Sequence, residues 1–244
     1  MLRYLEKKYI SGDDLADNPT WDIEDSPWKA GKVLEVIRKN RLKPSSVCEV
    51  GCGAGAILAE LDNALKGVKL YGYDISPGAA VFWEQYANKG ISFEVGDFFE
   101  NNTKYHDLIL ILDVIEHIAD PWEFLEKLKT HGKTFLFHIP LDLSAQNVLR
   151  ETPILEARRQ VGHIHYFTKN LALELLEEAG FEIDYCSYSN LSMSGPRSSW
   201  KSKLIYLPRM LAYIMGKDFG VRLLGGESLL VLARPKLGQC QTSR

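Results

Sequence analysis

Three closely spaced glycines, Gly51, Gly53 and Gly55, stand between an apolar run and an amphipathic run. The apolar side chains Val47 and Val50 predict a short buried strand before them. Apolar residues then recur at helical spacing over residues 57–65, which predicts a helix after them. A strand, a glycine turn and a helix form a ligand cradle, because glycine lets the backbone approach a ligand and the first N–H groups of the helix face it.

The glycine turn alone leaves two ligand classes open. Gly51, Gly53 and Ala56 also satisfy the dinucleotide fingerprint, in which alanine can take the third position. The acid Glu49 lies directly before the turn, where a carboxylate would repel a pyrophosphate and attract an ammonium or a sulfonium group. This acid favours a cationic ligand over a dinucleotide.

The chain continues as strands that alternate with helices, which predicts an α/β fold with a doubly wound, mainly parallel sheet. Strands are predicted at 69–73, 91–95, 108–112, 134–139, 181–188 and 228–233. The first helix is expected to begin with Ser26 as its cap, and further helices are predicted at 77–88 and 122–129. A last helix follows the cap Thr168, with Leu171, Leu175 and Leu176 on its buried face.

Acidic residues recur at the ends of the predicted strands, where ligands bind in such sheets. Asp74 is placed to accept hydrogen bonds from ribose hydroxyls. Asp97 is placed to accept one from an adenine amino group, with Phe98 against the ring, and Asp113 ends the fourth strand. The full set of predicted cofactor-binding residues is Glu49, Gly51, Cys52, Gly53, Gly55, Asp74, Ile75, Asp97, Phe98, Asp113, Val114 and Trp28.

The acid followed by the glycine turn resembles motif I of the class I S-adenosylmethionine-dependent methyltransferases. Residues 113–121, with Asp113, Glu116, His117 and Pro121, resemble the D-V-x-E-H-x-x-x-P segment of small-molecule members, including the ubiquinone-biosynthesis type. The resemblance implies a Rossmann-like seven-stranded sheet with one antiparallel strand in the edge region. It also implies S-adenosyl-L-methionine as the cofactor, lying across the tips of the first strands.

Three histidines are the candidate catalytic residues. His117 follows the fourth strand, and His163 and His165 lie in the loop that follows the fifth. Each imidazole could take a proton from an acceptor hydroxyl, or serve as a hydrogen-bonded packing residue. No metal site is predicted, because the sequence shows no third ligand beside the pair His163 and His165.

The resemblance implies methyl transfer to a small molecule, most simply to the hydroxyl of a sugar, a lipid-linked compound or a secondary metabolite. An NAD-dependent oxidoreductase and a catalytically silent methyltransferase-like subunit are the alternatives. Nucleic acid is not expected as a partner, because Asp113 and Val114 replace the N-P-P-Y signature and the net charge is -3.

The whole chain, 1–244, is expected to form a single domain. It divides into an N-terminal flap and helix (1–44), a cofactor-binding half (45–140), an acceptor-side half (141–235) and a tail (236–244). Trp21 or Trp28 would close the flap over the cofactor, or both would plug the core. The insertion 191–225 is a candidate substrate cap, dimer contact or, through 201–215, membrane-surface helix.

Composition bounds the setting of the protein. The four cysteines form no CxxC pair, and the sequence shows no secretory signal and no long apolar span. A cytoplasmic protein is therefore expected. The resemblance implies a small-molecule acceptor, and the chain is expected to be a monomer or a homodimer.

Overall fold

The computed structural model describes residues 20–21, 23–190, 212–214 and 216–236. Most of the predicted insertion, almost all of its stretch 201–215 and almost all of the tail lie outside these residues, as does most of the segment before Trp21. The sequence-based predictions for those stretches therefore stay predictions.

The described residues form a seven-stranded sheet in the order β3-β2-β1-β4-β5-β7-β6. Its strands are β1 (Ser46–Val50), β2 (Lys69–Asp74), β3 (Ile91–Val95), β4 (His106–Leu112), β5 (Gly132–Pro140), β6 (Phe181–Tyr188) and β7 (Ser228–Pro235). Neighbouring pairs from β3 to β5 run parallel, whereas β7 is antiparallel to both β5 and β6. The predicted α/β fold with one antiparallel strand near the edge is confirmed, and that strand lies next to the edge strand β6.

Helices cover both faces of this sheet. They include α1 (Ser26–Lys39), α2 (Ala56–Ala64), α3 (Pro77–Ala80), α4 (Phe98–Asn101), α5 (Pro121–Leu128), α6 (Ala145–Arg150), α7 (Thr152–Glu156), α8 (Lys169–Glu178) and α9 (Lys217–Leu224). Short 3-10 turns span Ile23–Asp25, Trp83–Tyr86 and Ile115–His117, and a π-helical turn spans Ala157–Val161.

The central strand β4 shows why the sheet has a core on both faces. Ile109 and Ile111 belong to one apolar cluster, and Leu108 and Leu110 belong to the other. All four side chains are essentially fully buried, and burial of each contributes roughly 1.5–3 kcal/mol to folding. An unbroken apolar run thus fixes β4 in the middle of the sheet, so the strand ends that carry the acids are held rigidly.

Three local predictions were wrong in detail. Asp25, and not Ser26, is the N-cap of α1, and its side chain makes no capping hydrogen bond. Leu171 is 51% exposed, while Ala172 takes its place on the buried face of α8.

The helix predicted over 77–88 is broken into α3 and a 3-10 turn. The reason is Trp83, whose ring stacks on Phe93 at 5.0 Å and whose Nε1 donates to the Gly53 carbonyl at 2.9 Å. These tertiary contacts outweigh the local helix preference.

Within the part of the chain that the structure describes, no helix combines the length and the apolar character needed to cross a lipid bilayer.

Candidate active site

The glycine turn between β1 and α2 is closely packed. Gly51 has φ +73°, a backbone conformation that is unfavourable for other residues. A Cβ built on Gly51 would lie 2.7 Å from Cγ2 of Val114. The N–H groups of Gly51 and Cys52 both donate to the Tyr73 carbonyl, at 2.8 and 3.0 Å. The backbone of the turn is therefore tied to the end of β2 and has no room for a side chain at Gly51.

Three carboxylates meet at the ends of β1, β2 and β4, and we call Glu49, Asp74 and Asp113 the carboxylate edge. Glu49 is 1% exposed and its Oε2 has no hydrogen-bond partner among the described residues. Burial raises the pKa of Glu49 to about 8, with further raising contributions from Asp74 and Asp113, while Lys29 acts in the opposite direction. Burial and the neighbouring carboxylates thus favour the neutral form of Glu49, and a cationic ligand would favour its charged form.

Asp74 is held by the backbone around it. Its Oδ2 accepts from the Gly53 N–H at 2.8 Å and its Oδ1 accepts from the Ser76 N–H at 2.9 Å. These bonds fix the carboxylate beside the glycine turn, at the position predicted for ribose recognition.

Asp113 has φ +56°, which is uncommon for a residue other than glycine. Its Oδ2 lies 2.6 Å from Lys29 Nζ, and its Oδ1 lies 2.6 Å from His138 Nδ1. Burial raises the pKa of Asp113, but His138 and Lys29 outweigh that effect and hold the pKa well below its usual range. Asp113 is therefore ionised and paired with positive or hydrogen-bonding groups.

The predicted site residues that follow β2 and β3 differ in whether a ligand can reach them. Ile75 is 40% exposed beside Asp74, so its side chain can contact a ligand. Asp97 is exposed, and its Oδ1 caps α4 by accepting from the Phe99 N–H at 2.6 Å. The prediction that Phe98 packs against an adenine ring was wrong. Its ring is buried in the core against Tyr73, so it is not available to a ligand.

The two tryptophans of the predicted flap lie at different places. Cε3 of Trp21 lies 3.0 Å from where a Cβ of Gly53 would be, so this ring rests on the glycine turn. Trp28 instead meets His138 edge-on at 6.3 Å between ring centroids, beside Asp113. Trp21 is thus the residue that covers the turn.

A second group of functional side chains lies beyond β4 and β5, and we call Glu116, His117 and His163 the acceptor-side cluster. Glu116 and His117 belong to the 3-10 turn after β4. The N–H groups of Ile164 and His165 donate to the Glu116 carbonyl at 2.8 and 3.1 Å. These two bonds hold the distant loop, and with it His163, against the turn.

Each histidine of the acceptor-side cluster has a defined partner. Nδ1 of His163 lies 2.7 Å from Oδ2 of Asp142, and Nδ1 of His117 lies 3.2 Å from the Gly162 carbonyl oxygen. The two rings meet edge-on at 5.0 Å. Burial, followed by the neighbouring His163, lowers the pKa of His117 to about 4, so His117 is neutral at physiological pH.

Glu116 is the one acid of the acceptor-side cluster, and it is fully buried. It is 0% exposed, and neither carboxylate oxygen has a hydrogen-bond partner among the described residues. Burial raises its pKa well above the usual range, and the charge of Asp113 adds to the effect. Nε2 of His163 lies 3.9 Å from its Oε1.

His165 does not belong to the acceptor-side cluster. Its ring lies beside that of Phe167, at 6.4 Å between centroids. Its contact with Glu116 is made through its backbone N–H alone. The structure thus brings His117 and His163 together and leaves His165 as a neighbour.

Some residues of the site could not be recognised from the sequence. Lys29 and His138 pair with Asp113, Asp142 orients His163, and the indole of Trp83 holds the glycine turn. None of these residues stands in a motif, and each acts across long chain separations. The one available signal was that His138 and Asp142 flank the end of a predicted strand.

Similar proteins are methyltransferases. A probable chloroplastic tocopherol O-methyltransferase of Oryza sativa subsp. japonica is 36% identical over 93 residues, 35% of this chain and 25% of that protein. A mitochondrial ubiquinone biosynthesis O-methyltransferase of Dictyostelium discoideum is 26% identical over 140 residues, 46% of this chain and 43% of that protein. The chain thus spans less than half the length of these curated relatives.

The fold is also shared with solved structures. The plantazolicin methyltransferase BpumL, solved in complex with SAH, matches with a TM-score of 0.62 at 17% identity, over 96% of this chain and 95% of that one. The sequence model of the methyltransferase domain matches residues 27–185. Because this match covers more than half of the chain, the protein belongs to the methyltransferase domain family.

Proposed function

We propose that this protein binds S-adenosyl-L-methionine at the glycine turn and transfers its methyl group to a small molecule. The observation that carries the proposal is the carboxylate edge, where the buried Glu49 keeps an oxygen without a hydrogen-bond partner among the described residues. A ligand with an ammonium and a sulfonium group would stabilise the charged form of this acid. A dinucleotide pyrophosphate would add to the repulsion, which disfavours the oxidoreductase alternative.

The proposed cofactor residues have separate roles. Asp74 is fixed by backbone donors where it can accept from ribose hydroxyls, and Glu49 and Asp113 face the charged end of the ligand. Ile75 offers an apolar surface. The residues proposed to line the site are Glu49, Gly51, Cys52, Gly53, Gly55, Asp74, Ile75, Asp97, Asp113, Val114 and Trp28.

The acceptor is proposed to bind at the acceptor-side cluster with a hydroxyl as its nucleophile. The bound cofactor supplies an activated methyl group, so the protein mainly has to align the reacting atoms. The imidazoles of His117 and His163 are placed to receive the hydroxyl proton, and Asp142 orients His163. His165, the third candidate, would act as a neighbour that shapes the pocket.

The acceptor class is proposed from chemistry and from the relatives together. The two curated relatives carry O-methyltransferase names, with tocopherol and ubiquinone biosynthesis as their settings. A phenol-like or lipid-linked hydroxyl is therefore the first acceptor class to test, followed by sugars and other secondary metabolites.

Two measurements test the proposal. Calorimetric titration with S-adenosylhomocysteine and with NAD is expected to give tight binding of the first alone. Protein incubated with methyl-labelled S-adenosylmethionine and phenols, sugars or hydroxylated lipids is then expected to label one class through an alkali-stable methyl ether. Tighter binding of NAD would refute the assignment. Firm adenosylhomocysteine binding with no labelled acceptor would support a catalytically silent subunit.

A further inference from the structure

We propose that the acceptor-side cluster binds one divalent transition-metal ion through Glu116, His117 and His163, and that zinc suits it best. The side chains of these three residues each offer a ligand atom, and all these atoms lie within 4.8 Å of one another. The sequence argued against a metal because no third ligand stood beside the histidine pair. The fold brings Glu116 and His117, both from the turn after β4, to His163 and leaves His165 outside the set.

Ligand atoms that lie up to 4.8 Å apart have to move closer together to hold one metal ion. Nε2 of His163 and Oε1 of Glu116 are 3.9 Å apart. In a tetrahedral site with metal bonds of about 2.0–2.1 Å, ligand atoms lie roughly 3.3 Å from each other. Side-chain rotation can close a gap of this size, since no backbone bond has to break.

The hydrogen bonds on the far sides of both rings fix the tautomers. The Gly162 carbonyl and the Asp142 carboxylate can only accept, so Nδ1 of His117 and Nδ1 of His163 carry the hydrogens. Nε2 is then the nitrogen through which each ring, in the neutral form that metals bind, can coordinate a metal. This is the arrangement of metal-binding histidines, whose other ring nitrogen donates to a carboxylate or a backbone carbonyl.

Glu116 completes a set of acceptors. Its two oxygens are buried and have no hydrogen-bond partner among the described residues. The separation of 3.9 Å from His163 is too long for a hydrogen bond, so a proton shared by these two groups does not satisfy them as they stand. A cation bound by Glu116 and the two imidazoles would stabilise the charged form of the carboxylate and would bind one nitrogen of each ring.

The donor set selects the kind of metal. Two imidazoles and one carboxylate form the ligand set of many catalytic zinc sites, which keep a further position open. Magnesium and calcium prefer oxygen ligands and are poorly matched to the two histidines. An acceptor hydroxyl in the open position would lose its proton to solvent more easily, so the metal, and not an imidazole, would be the activating group.

This inference deepens the proposed function at the same cluster, but its test measures metal binding and does not depend on methyl transfer. Tag-free full-length protein is stripped with a chelator, dialysed and titrated with zinc chloride in a calorimeter. A parallel titration with cobalt chloride is followed by visible absorption. We expect one equivalent of zinc with a Kd of about 1 μM or tighter, and the absorption bands of tetrahedral cobalt.

Variants test which residues hold the metal. Glu116→Gln and His163→Asn are each expected to weaken zinc binding at least about 100-fold, and Asp142→Asn about 10- to 100-fold through the orientation of His163. His165→Asn is the matched control, because this histidine adjoins the cluster without belonging to it. Its zinc affinity is expected to stay within about threefold of the wild type.

Adenosylhomocysteine binding reports whether each variant is folded. If a variant does not fold, the wild-type stoichiometry and the cobalt spectrum still decide the question. Absence of stoichiometric zinc and cobalt binding by the wild type would overturn the proposal. So would full retention of zinc by folded Glu116→Gln and His163→Asn variants, or equal loss in His165→Asn.

Discussion

The carboxylate edge and the acceptor-side cluster both bury acids, but they handle the charge differently. At the carboxylate edge, Asp113 contacts Lys29 and His138, and Asp74 accepts two backbone N–H groups. Within the described part of the chain, no lysine or arginine forms an ion pair with Glu116. Two of the three acids of the first region are therefore already paired, whereas the one acid of the second has no paired cation among the described residues.

The largest effect is expected from filling the glycine turn. In Gly51→Ala the new Cβ would lie 2.7 Å from Val114, at φ +73°. We expect adenosylhomocysteine binding to fall at least about 100-fold, because the turn must shift away from its ligand position. Zinc binding at the acceptor-side cluster should change little if the two regions are independent.

Gly67→Ala is the matched control for this change. Gly67 has a similar φ of +78°, with nothing within 4 Å of the added Cβ. Both variants therefore carry comparable backbone strain, of about 1–2 kcal/mol. Equal loss of binding in both, measured by calorimetry, would show that strain and not the close approach to Val114 is responsible.

The acceptor-side cluster is expected to affect turnover more than cofactor binding. Once an acceptor is known, His163→Asn should lower kcat about 100-fold by removing a proton acceptor or metal ligand, with the Kd of adenosylhomocysteine unchanged. Initial rates and calorimetry measure the two quantities separately. A parallel fall in both would mean that the two regions act as one site.

Among the acids at the strand ends, Asp74 is expected to matter more than Asp97, which lies outside the carboxylate edge. Asp74→Asn should weaken adenosylhomocysteine binding about 10- to 100-fold, because hydrogen bonds to a charged group contribute roughly 1.5–3 kcal/mol. Asp97 is exposed at the edge strand β3, so Asp97→Asn should cost only about threefold. The reverse order would move the cofactor toward β3.

The pH dependence of binding should reflect Glu49. The pKa of Glu49 is raised from 4.5 to about 8 in the folded protein. Its contribution to the free energy of unfolding is therefore fully present below pH 4.5, the pKa in the unfolded chain, and is lost as the pH rises through about 8. A ligand ammonium favours the charged carboxylate. Adenosylhomocysteine affinity should therefore rise toward pH 8 by up to about tenfold per pH unit.

Glu49→Gln removes this titration and should flatten the profile between pH 6 and about 8. Calorimetry in buffers of different ionisation enthalpy would count the released proton. A profile that keeps its slope in Glu49→Gln would assign the proton to another group.

The smallest effect is expected from the aromatic cover of the turn. Trp21 rests on Gly53, so Trp21→Ala should weaken adenosylhomocysteine binding about three- to tenfold through lost contact area. Trp28→Ala should leave the affinity closer to the wild type, because Trp28 packs on His138. Calorimetric titration of the two variants with adenosylhomocysteine distinguishes a tryptophan that covers the cofactor from one that only fills the core.

The sequence was most informative where structure is local. The strand before Gly51, the helix after it and the acids Asp74 and Asp113 follow from patterns within short windows, and the sheet places them side by side. The amphipathic period alone could not tell Leu171 from Ala172, because that choice depends on how α8 rotates on the sheet.

The remaining features depend on contacts between distant parts of the chain. Phe98 faces the core because Tyr73 and His131 surround it, and no periodicity in four residues of α4 predicts that. The acceptor-side cluster forms only when the loop before α8 docks on the Glu116 carbonyl. Glu116 and His117 stand in a motif of the sequence, but nothing in the sequence shows that the fold brings them to His163.

The ion pair between Lys29 and Asp113 has a mechanical consequence. Lys29 belongs to α1, while Asp113 terminates the central strand, so the salt bridge anchors the helix to the rim of the pocket. Any cationic guest that reaches Asp113 has to share the carboxylate with this lysine. Binding and release of such a ligand would therefore be coupled to the position of α1 on the sheet.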